Sequence, residues 1–154
     1  MDKYDCLLLE NQLCFPLYVA SKEVIRRYKP LLDTLDLTYT QYIAMMVIWK
    51  EKKLHVTELG KKLYLDTGTI SPLIRKLKEK GYITLSRDKD DERVQIITVT
   101  DLGMKLREKA LSVPENMAKN RCIDLTIEEA ILLKKILEKI IENKEWDISL
   151  FFLY

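Results

Sequence analysis

The sequence predicts a mainly helical protein that carries one small β-hairpin. Three observations favour this fold class. Only four glycines and four prolines occur in 154 residues, so little of the chain is suited to loops. Apolar residues recur at helical spacing in several segments. Residues 82–86 and 94–98 are β-type segments on either side of a charged run, which is typical of a hairpin with an exposed tip.

The composition fits one folded domain, since 47% of the residues are apolar and 32% are charged. There is no run of about 18 apolar residues and no basic-then-apolar leader, so we expect no membrane partner and a cytoplasmic location. The apolar segment 148–154 is too short to span a bilayer. We expect it to pack on a partner subunit.

The first half of the chain predicts two helices. Residues 8–28 have helical spacing that Pro16 interrupts. Because a proline inside a helix loses a backbone hydrogen bond and clashes with the preceding turn, a helix start or a kink is predicted near Cys14. Thr38 and Gln41 have the spacing of a capping box. The apolar run that follows predicts a buried central helix.

The middle of the chain predicts a helix, a turn and a second helix. The first helix is predicted to begin at Thr57, and residues 64–68 are predicted to form the turn. The second helix ends at Gly81, because glycine permits a left-handed cap, and Pro72 is placed near its start. Its apolar stripe has the spacing i, i+3, i+4, i+7: Ile70, Leu73, Ile74 and Leu77.

After the hairpin, the sequence predicts two further helices. Thr100 is expected to cap one helix that runs to about Leu111, and Pro114 is expected to interrupt the helical structure after it. Thr126 and Glu129 have the spacing of a second capping box, which precedes a long apolar-rich helix.

The order helix, turn, helix, hairpin over residues 57–98 predicts a winged helix-turn-helix. The charge distribution agrees. Residues 50–93 hold twelve Lys and Arg against eight Asp and Glu, a surplus of +4, whereas 1–49 and 94–154 each sum to −1. Duplex DNA is densely anionic and its major groove admits one helix, so double-stranded DNA is the expected partner. The alternative is a winged-helix fold that binds protein, with a solvated hairpin.

The second helix of this motif has the residue types that a DNA-reading helix needs. Small residues near its start let the backbone approach the DNA, and cations reach phosphates or guanine. The predicted contacts on this helix are Thr67, Gly68, Thr69, Ser71, Pro72, Arg75 and Lys76. An arginine at the hairpin tip can enter the minor groove if a neighbouring acid orients it. The predicted tip residues are Arg87, Lys89, Arg93 and its expected ion-pair partner Asp91.

Four segments, taken together and in order, closely resemble the MarR family of transcription regulators, and within it the organic-hydroperoxide-sensing OhrR subgroup. They are LENQLCFPLY, YKPLLDTLDLTYTQY, LYLDTGTISPLIRKL and, in the hairpin, DER. The resemblance implies a homodimer on a pseudo-palindromic operator, with dimerisation helices in about 1–37 and 101–154 around a DNA-binding region 38–100. It also implies a repressor that oxidation releases from DNA.

Cys14 is the predicted sensor. Peroxides react with the thiolate, and an ordinary cysteine has a pKa of about 8.5, so a helix start beside the sulfur would supply helpful positive potential. Tyr18 lies one helical turn further on. The resemblance implies that tyrosine hydroxyls of the other subunit bind the reactive cysteine, and the matching positions are Tyr28 and Tyr39.

A sulfenic acid formed by an organic hydroperoxide can condense with a second thiol. If Cys6 and Cys14 share one helix, their separation is about 12 Å, whereas a disulfide needs Cα atoms within about 7 Å. Cys6 is therefore expected to be a poor partner. The resemblance places Cys122 at the dimer interface, where it would bridge to Cys14 of the other subunit, and a small cellular thiol is the alternative.

Two other function classes compete with the redox repressor. One is a MarR-type repressor that binds a small aromatic ligand. The other is a thiol peroxidase, which the absence of a CxxC pair and of a histidine near a cysteine disfavours, so no enzyme is expected. Three cysteines at no metal-binding spacing and a single histidine predict no metal and no cofactor.

Overall fold

A computed structural model describes residues 4–120 and 123–142. Two short 3-10 turns, Asp5–Leu7 and Leu9–Asn11, precede the first helix. The remaining elements, in order, are α1 Cys14–Asp33, α2 Tyr39–Glu51, β1 Lys53–His55, α3 Val56–Leu63, α4 Thr67–Glu79, β2 Ile83–Arg87, β3 Gln95–Val99, α5 Asp101–Ala110, α6 Ser112–Lys119 and α7 Ile127–Glu142. This mainly helical architecture with a small antiparallel sheet confirms the predicted fold class.

The chain divides into two compact units. One comprises residues 28–117 and contains the hydrophobic core. The other comprises residues 1–27 and 118–154.

The core of unit 28–117 is built around α2, as the sequence predicts. Ala44, Met45 and Ile48 on α2 are completely buried, and Trp49 is nearly so. The indole Nε1 of Trp49 donates a hydrogen bond of 2.8 Å to the carbonyl oxygen of Gly103 on α5. The buried stripe of α4 packs into the same core.

The sheet has the strand order β1-β3-β2, and both pairings are antiparallel. The predicted hairpin is confirmed, and each of its strands begins one residue later than expected. β1 was not predicted, because three residues with one apolar side chain carry no periodic signal. It pairs with β3 through Leu54 opposite Ile97, and this pairing ties the start of α3 to the hairpin.

Helix starts follow the predicted caps. Thr38 and Gln41 form a reciprocal capping box, and Thr126 and Glu129 form a second one. Thr100 Oγ1 accepts a hydrogen bond of 3.1 Å from the backbone of Gly103. These bonds satisfy amides that have no partner within the helix, which is why short polar residues mark the boundaries.

Three boundaries differ from expectation, whereas Pro72 lies near the start of α4 as predicted. α3 begins at Val56 rather than Thr57, with His55 in the capping position. Gly68 lies in the first turn of α4 rather than in the preceding turn, because Asp66 caps that helix. Pro72 lies in the second turn of α4. Residues around Pro114 form α6, where the proline occupies the third position and costs little, since amides of the first turn have no helical partner.

Gly103 allows α5 to lie directly on the backbone that precedes β2. A Cβ atom at this position would clash with the carbonyl oxygen of Tyr82 and lie 2.9 Å from Cγ2 of Val99. The same carbonyl accepts a hydrogen bond of 3.1 Å from the Thr100 amide. A side chain here would therefore separate α5 from the hairpin.

No helix within residues 4–120 and 123–142 is long and apolar enough to cross a bilayer.

Candidate nucleic-acid interface and thiol site

Helix α4 separates a buried face from an exposed one. Ile70, Leu73, Ile74 and Leu77 are buried in the core, so the rest of the helix surface faces outward. All seven predicted contacts on α4 and all four in the hairpin are exposed. The structure therefore places the predicted set where a large anion has access to it.

Asp66 organises the start of α4. Its Oδ1 accepts a hydrogen bond of 2.8 Å from the Thr69 amide. This hydrogen bond, from the backbone and supplemented by the Thr69 side chain, holds the pKa of Asp66 below its usual range. The sequence analysis missed this residue, although an aspartate three positions before Thr69 is a typical helix cap.

The lowered pKa predicts how acid affects α4. A carboxylate with a depressed pKa in the folded state stabilises the fold above its unfolded pKa, which is about 3.9, and loses that contribution as the pH falls through its folded pKa. Asparagine caps helices well but does not titrate here. When the pH is lowered from about 6 into the acid range, the melting temperature of Asp66→Asn should therefore fall by less than that of the wild type. Circular dichroism melts measure both temperatures. Equal losses in the two proteins would contradict the assignment.

Arg75 lies on the exposed face of α4, with an acidic neighbour that the sequence analysis missed. Its Nε is 3.9 Å from Oε1 of Glu79, one helical turn further on, and both side chains are largely exposed. Exposed pairs of this kind contribute little stability. The guanidinium is therefore able to exchange Glu79 for a phosphate or a guanine.

Arg75→Ala should weaken DNA binding about 5- to 150-fold, because removing one specific arginine contact costs about 1–3 kcal/mol. The measurement is fluorescence anisotropy with a labelled operator at fixed salt. Lys109→Ala is the matched control, because it removes an exposed cation from α5 and should leave the affinity almost unchanged. Equal losses for both variants would indicate that only net charge matters.

The hairpin tip is held by its own backbone and side chains. Arg87 Nη1 donates a hydrogen bond of 2.9 Å to the Glu92 carbonyl oxygen, so this arginine braces the tip. Arg93 is 95% exposed and its Nε lies 3.6 Å from Oδ1 of Asp91. The expected pair of Asp91 and Arg93 is thus present, and the Arg93 side chain is almost fully exposed.

His55 joins the start of the hairpin tip to the start of α3. Its Nε2 lies 3.4 Å from Oδ2 of Asp88. The backbone amide of Asp90 also donates to the Asp88 carboxylate at 2.9 Å, and this bond is the main cause of its lowered pKa, with His55 a smaller one. Asp88 therefore orients the hairpin relative to the first helix of the motif.

Cys14 lies in the smaller unit, residues 1–27 and 118–154. The predicted helix start is observed, because Cys14 is the first residue of α1 and Pro16 lies within the first turn. The thiol is exposed, and its Sγ is 4.0 Å from Oε1 of Gln12, the outer limit of a thiol hydrogen bond. Lys22 Nζ donates to the Tyr18 hydroxyl at 3.3 Å. Cys122, the predicted resolving thiol, lies outside the described residues.

The other predicted tyrosines meet in the larger unit. The rings of Tyr28 and Tyr39 pack edge to face with centroids 5.1 Å apart, and Tyr42 lies 6.1 Å from Tyr28. Burial, together with the neighbouring Tyr28 and Tyr39, raises the pKa of Tyr42. The structure thus brings Tyr28 and Tyr39 together. Tyr42 is a third phenol of this group, and the sequence did not indicate it because it lies within the apolar run of α2.

Comparison with protein families supports a regulatory role for this architecture. The model of the family described as transcriptional regulator SarA/Rot matches residues 26–110. The organic hydroperoxide resistance transcriptional regulator of Bacillus subtilis (strain 168) is 45% identical over 113 residues, which are 73% of this chain and 77% of the relative. The match therefore includes most of both proteins.

Two further similarities extend over more of the chain. The HTH-type transcriptional regulator SarZ of Staphylococcus saprophyticus is 41% identical over 135 residues, which are 88% of this chain and 91% of the relative. A solved structure of reduced AbfR bound to DNA superposes with a TM-score of 0.76 and 28% identity, and the match covers 92% of this chain and 95% of that one.

Proposed function

Because the chain belongs to the MarR and SarA/Rot type of winged-helix transcriptional regulators, within the organic hydroperoxide subgroup, we propose that it is a redox-controlled repressor. As a homodimer it binds a pseudo-palindromic operator, and it releases the DNA when an organic hydroperoxide oxidises Cys14. Its relatives are transcriptional regulators rather than enzymes. The observation that carries the proposal is an exposed thiol at the first residue of α1 in a protein whose α4 also exposes small residues and cations.

The exposed face of α4 and the Arg93 tip support DNA binding. The helix presents small residues at its start and Arg75 beyond them, so its backbone and one guanidinium can enter the major groove. Arg93 is long and exposed enough for the minor groove. AbfR, which shares this architecture, has been solved bound to DNA.

Helix α7 supports a dimer. None of its sixteen residues is buried, although it carries many apolar side chains. Ile127 is 74% exposed and Ile131 is 65% exposed. A helix with so many apolar side chains is normally covered, and we propose that a second copy of the chain covers it. A two-fold dimer would place its two α4 helices on half-sites about one helical turn apart.

A double substitution of Ile127→Glu and Ile131→Glu should shift the dimer toward monomers, because two carboxylates would have to be buried without partners. Light scattering coupled to gel filtration measures the mass. Lys135→Glu is the control, since it adds negative charge to α7 at an exposed polar position. If the double variant keeps the wild-type mass, α7 is not part of the interface.

The position of Cys14 supports the redox step. The exposed sulfur stands at the first residue of α1, where a hydroperoxide has access to it. In the proposed dimer, Tyr28 and Tyr39 of a second copy would donate hydrogen bonds to this sulfur. A second thiol would then convert the sulfenic acid to a disulfide.

The proposal is tested by measuring operator affinity before and after stoichiometric cumene hydroperoxide, and again after dithiothreitol. Oxidation should weaken binding and dithiothreitol should restore it. An affinity that cumene hydroperoxide leaves unchanged would overturn the redox assignment while leaving DNA binding intact.

A second candidate function is release by a small aromatic acid. A cavity of about 430 Å³ in the larger unit supports it, because aromatic and apolar side chains line it together with three cations: Tyr42, Met46, Trp49, Lys50, Lys52, Arg107, Ala110, Leu111 and Pro114. Under this alternative, salicylate would weaken operator binding and cumene hydroperoxide would not.

A further inference from the structure

The ten residues before Cys14 fold back on themselves. The 3-10 turns Asp5–Leu7 and Leu9–Asn11 reverse the chain within unit 1–27 and 118–154. Asn11 Nδ2 donates a hydrogen bond of 2.9 Å to the carbonyl oxygen of Asp5. Gln12 Nε2 donates one of 2.6 Å to the carbonyl oxygen of Cys6. Cys6 and Cys14 therefore do not share a helix, and the premise that kept them about 12 Å apart is wrong.

The amide of Gln12 lies between the two cysteines. Its nitrogen contacts the Cys6 carbonyl at 2.6 Å and its oxygen lies 4.0 Å from the Cys14 sulfur. With about 2.3 Å across the amide group itself, the Cys6 carbonyl oxygen and the Cys14 Sγ are within about 9 Å of each other. A disulfide requires Cα atoms within about 7 Å, so the turns before α1 must rearrange before the two sulfurs can bond.

The segment that must move is lightly held. Single 3-10 turns have poorer hydrogen-bond geometry than an α-helix. Only eight positions separate the cysteines, and loops of about ten residues close in about 10–100 ns. Encounter between the two thiols of one chain is therefore fast once these turns open.

We propose that Cys6 is the resolving thiol for Cys14 of the same chain, an inference that rests on the proposed oxidation of Cys14. Exposure assigns the roles, because Cys14 is exposed and Cys6 is half-buried. The peroxide thus meets Cys14 first, and the shielded sulfur acts second.

The chemistry balances in two steps. The Cys14 thiolate attacks an oxygen of the hydroperoxide, the O–O bond breaks, and the alcohol leaves after taking up a proton, so that Cys14 becomes a sulfenic acid. The Cys6 sulfur then attacks the Cys14 sulfur. The S–O bond breaks, and its oxygen leaves as water with the proton of the Cys6 thiol. Two thiols have lost two electrons to one hydroperoxide.

The role of Cys6 is tested with the full-length protein, which is treated with one equivalent of cumene hydroperoxide, then alkylated and digested with trypsin. Both cysteines fall in one tryptic peptide, residues 4–22, because the flanking cleavage sites are Lys3 and Lys22. In the wild type and in Cys122→Ser, this peptide should be lighter than its reduced form by two hydrogens and should carry no alkyl group. Cys6→Ser should instead accumulate Cys14 sulfenic acid, trapped by dimedone, at several times the wild-type level.

The outcomes separate this inference from the proposed function. A covalent dimer of the wild type that disappears in Cys122→Ser, or equal dimedone labelling of wild type and Cys6→Ser, would overturn the role of Cys6 but leave the sensor in place. If dimedone does not label Cys14 in Cys6→Ser and operator binding ignores the hydroperoxide, both proposals fail.

Discussion

Cys14→Ser should bind the operator as tightly as the wild type and should keep that affinity when an organic hydroperoxide is added. Serine has nearly the shape of cysteine but forms no thiolate, so the surface of α4 is unchanged and the reaction is lost. The operator affinity of the wild type should fall about 5- to 150-fold on oxidation, which is the range that typical coupling free energies between two sites produce. Fluorescence anisotropy with reduced and oxidised protein measures both affinities.

Cys122→Ser is the matched control for this experiment, since it removes a different thiol from the same chain. It should still lose operator affinity when Cys14 is oxidised, because the first oxidation step needs only Cys14. Release of DNA by oxidised Cys14→Ser would show that another residue is the sensor. Release of DNA from Cys14→Ser by salicylate would favour the aromatic-acid alternative.

Gly103→Ala should destabilise the larger unit by about 3 kcal/mol, at the upper end of ordinary overpacking. The new methyl group would meet the Tyr82 carbonyl oxygen, which is backbone and cannot rotate away. Moving α5 would also strain the hydrogen bond between the Trp49 indole and the Gly103 carbonyl. Thermal unfolding followed by circular dichroism should show a midpoint about 12–24 °C lower, as expected for a unit of this size.

Gly68→Ala is the control for Gly103→Ala. A Cβ at Gly68 would approach only the side chain of Asp66, at 3.2 Å, and alanine is favoured over glycine inside a helix by about 1 kcal/mol. Its unfolding midpoint should fall by much less than that of Gly103→Ala. If both variants lose the same stability, the close approach of α5 to Tyr82 is not the cause.

Local signals in the sequence predicted most of the fold. The apolar stripe of α4 appears directly as spacing, and the capping pairs identify helix starts. β1 and α6 escaped prediction because a three-residue strand has no period and because Pro114 suggested a break where it actually lies in a first turn. β1 forms because it pairs with β3, which is distant in the sequence, whereas α6 forms because a proline in a first turn displaces no helical hydrogen bond.

The candidate sites were predicted unevenly for the same reason. The exposed cations of α4 follow from the periodicity of that helix. The bracing of the tip by Arg87 and the acid beside Arg75 depend on geometry that residue type alone does not give. The role proposed for Cys6 likewise arose only when the chain before α1 was found folded back on itself.

The sequence by itself determined which helix has a buried stripe and a cationic face, where the three helices with threonine caps begin, and which thiol stands at a helix start. These properties depend on residues within a few positions of one another, so the order of side chains encodes them. The tertiary structure alone decided that a third strand joins the hairpin, that Tyr42 accompanies Tyr28 and Tyr39, and that Gln12 lies between two cysteines. Those contacts depend on how the backbone turns between elements, and packing and hydrogen bonding across the fold determine the path of the backbone.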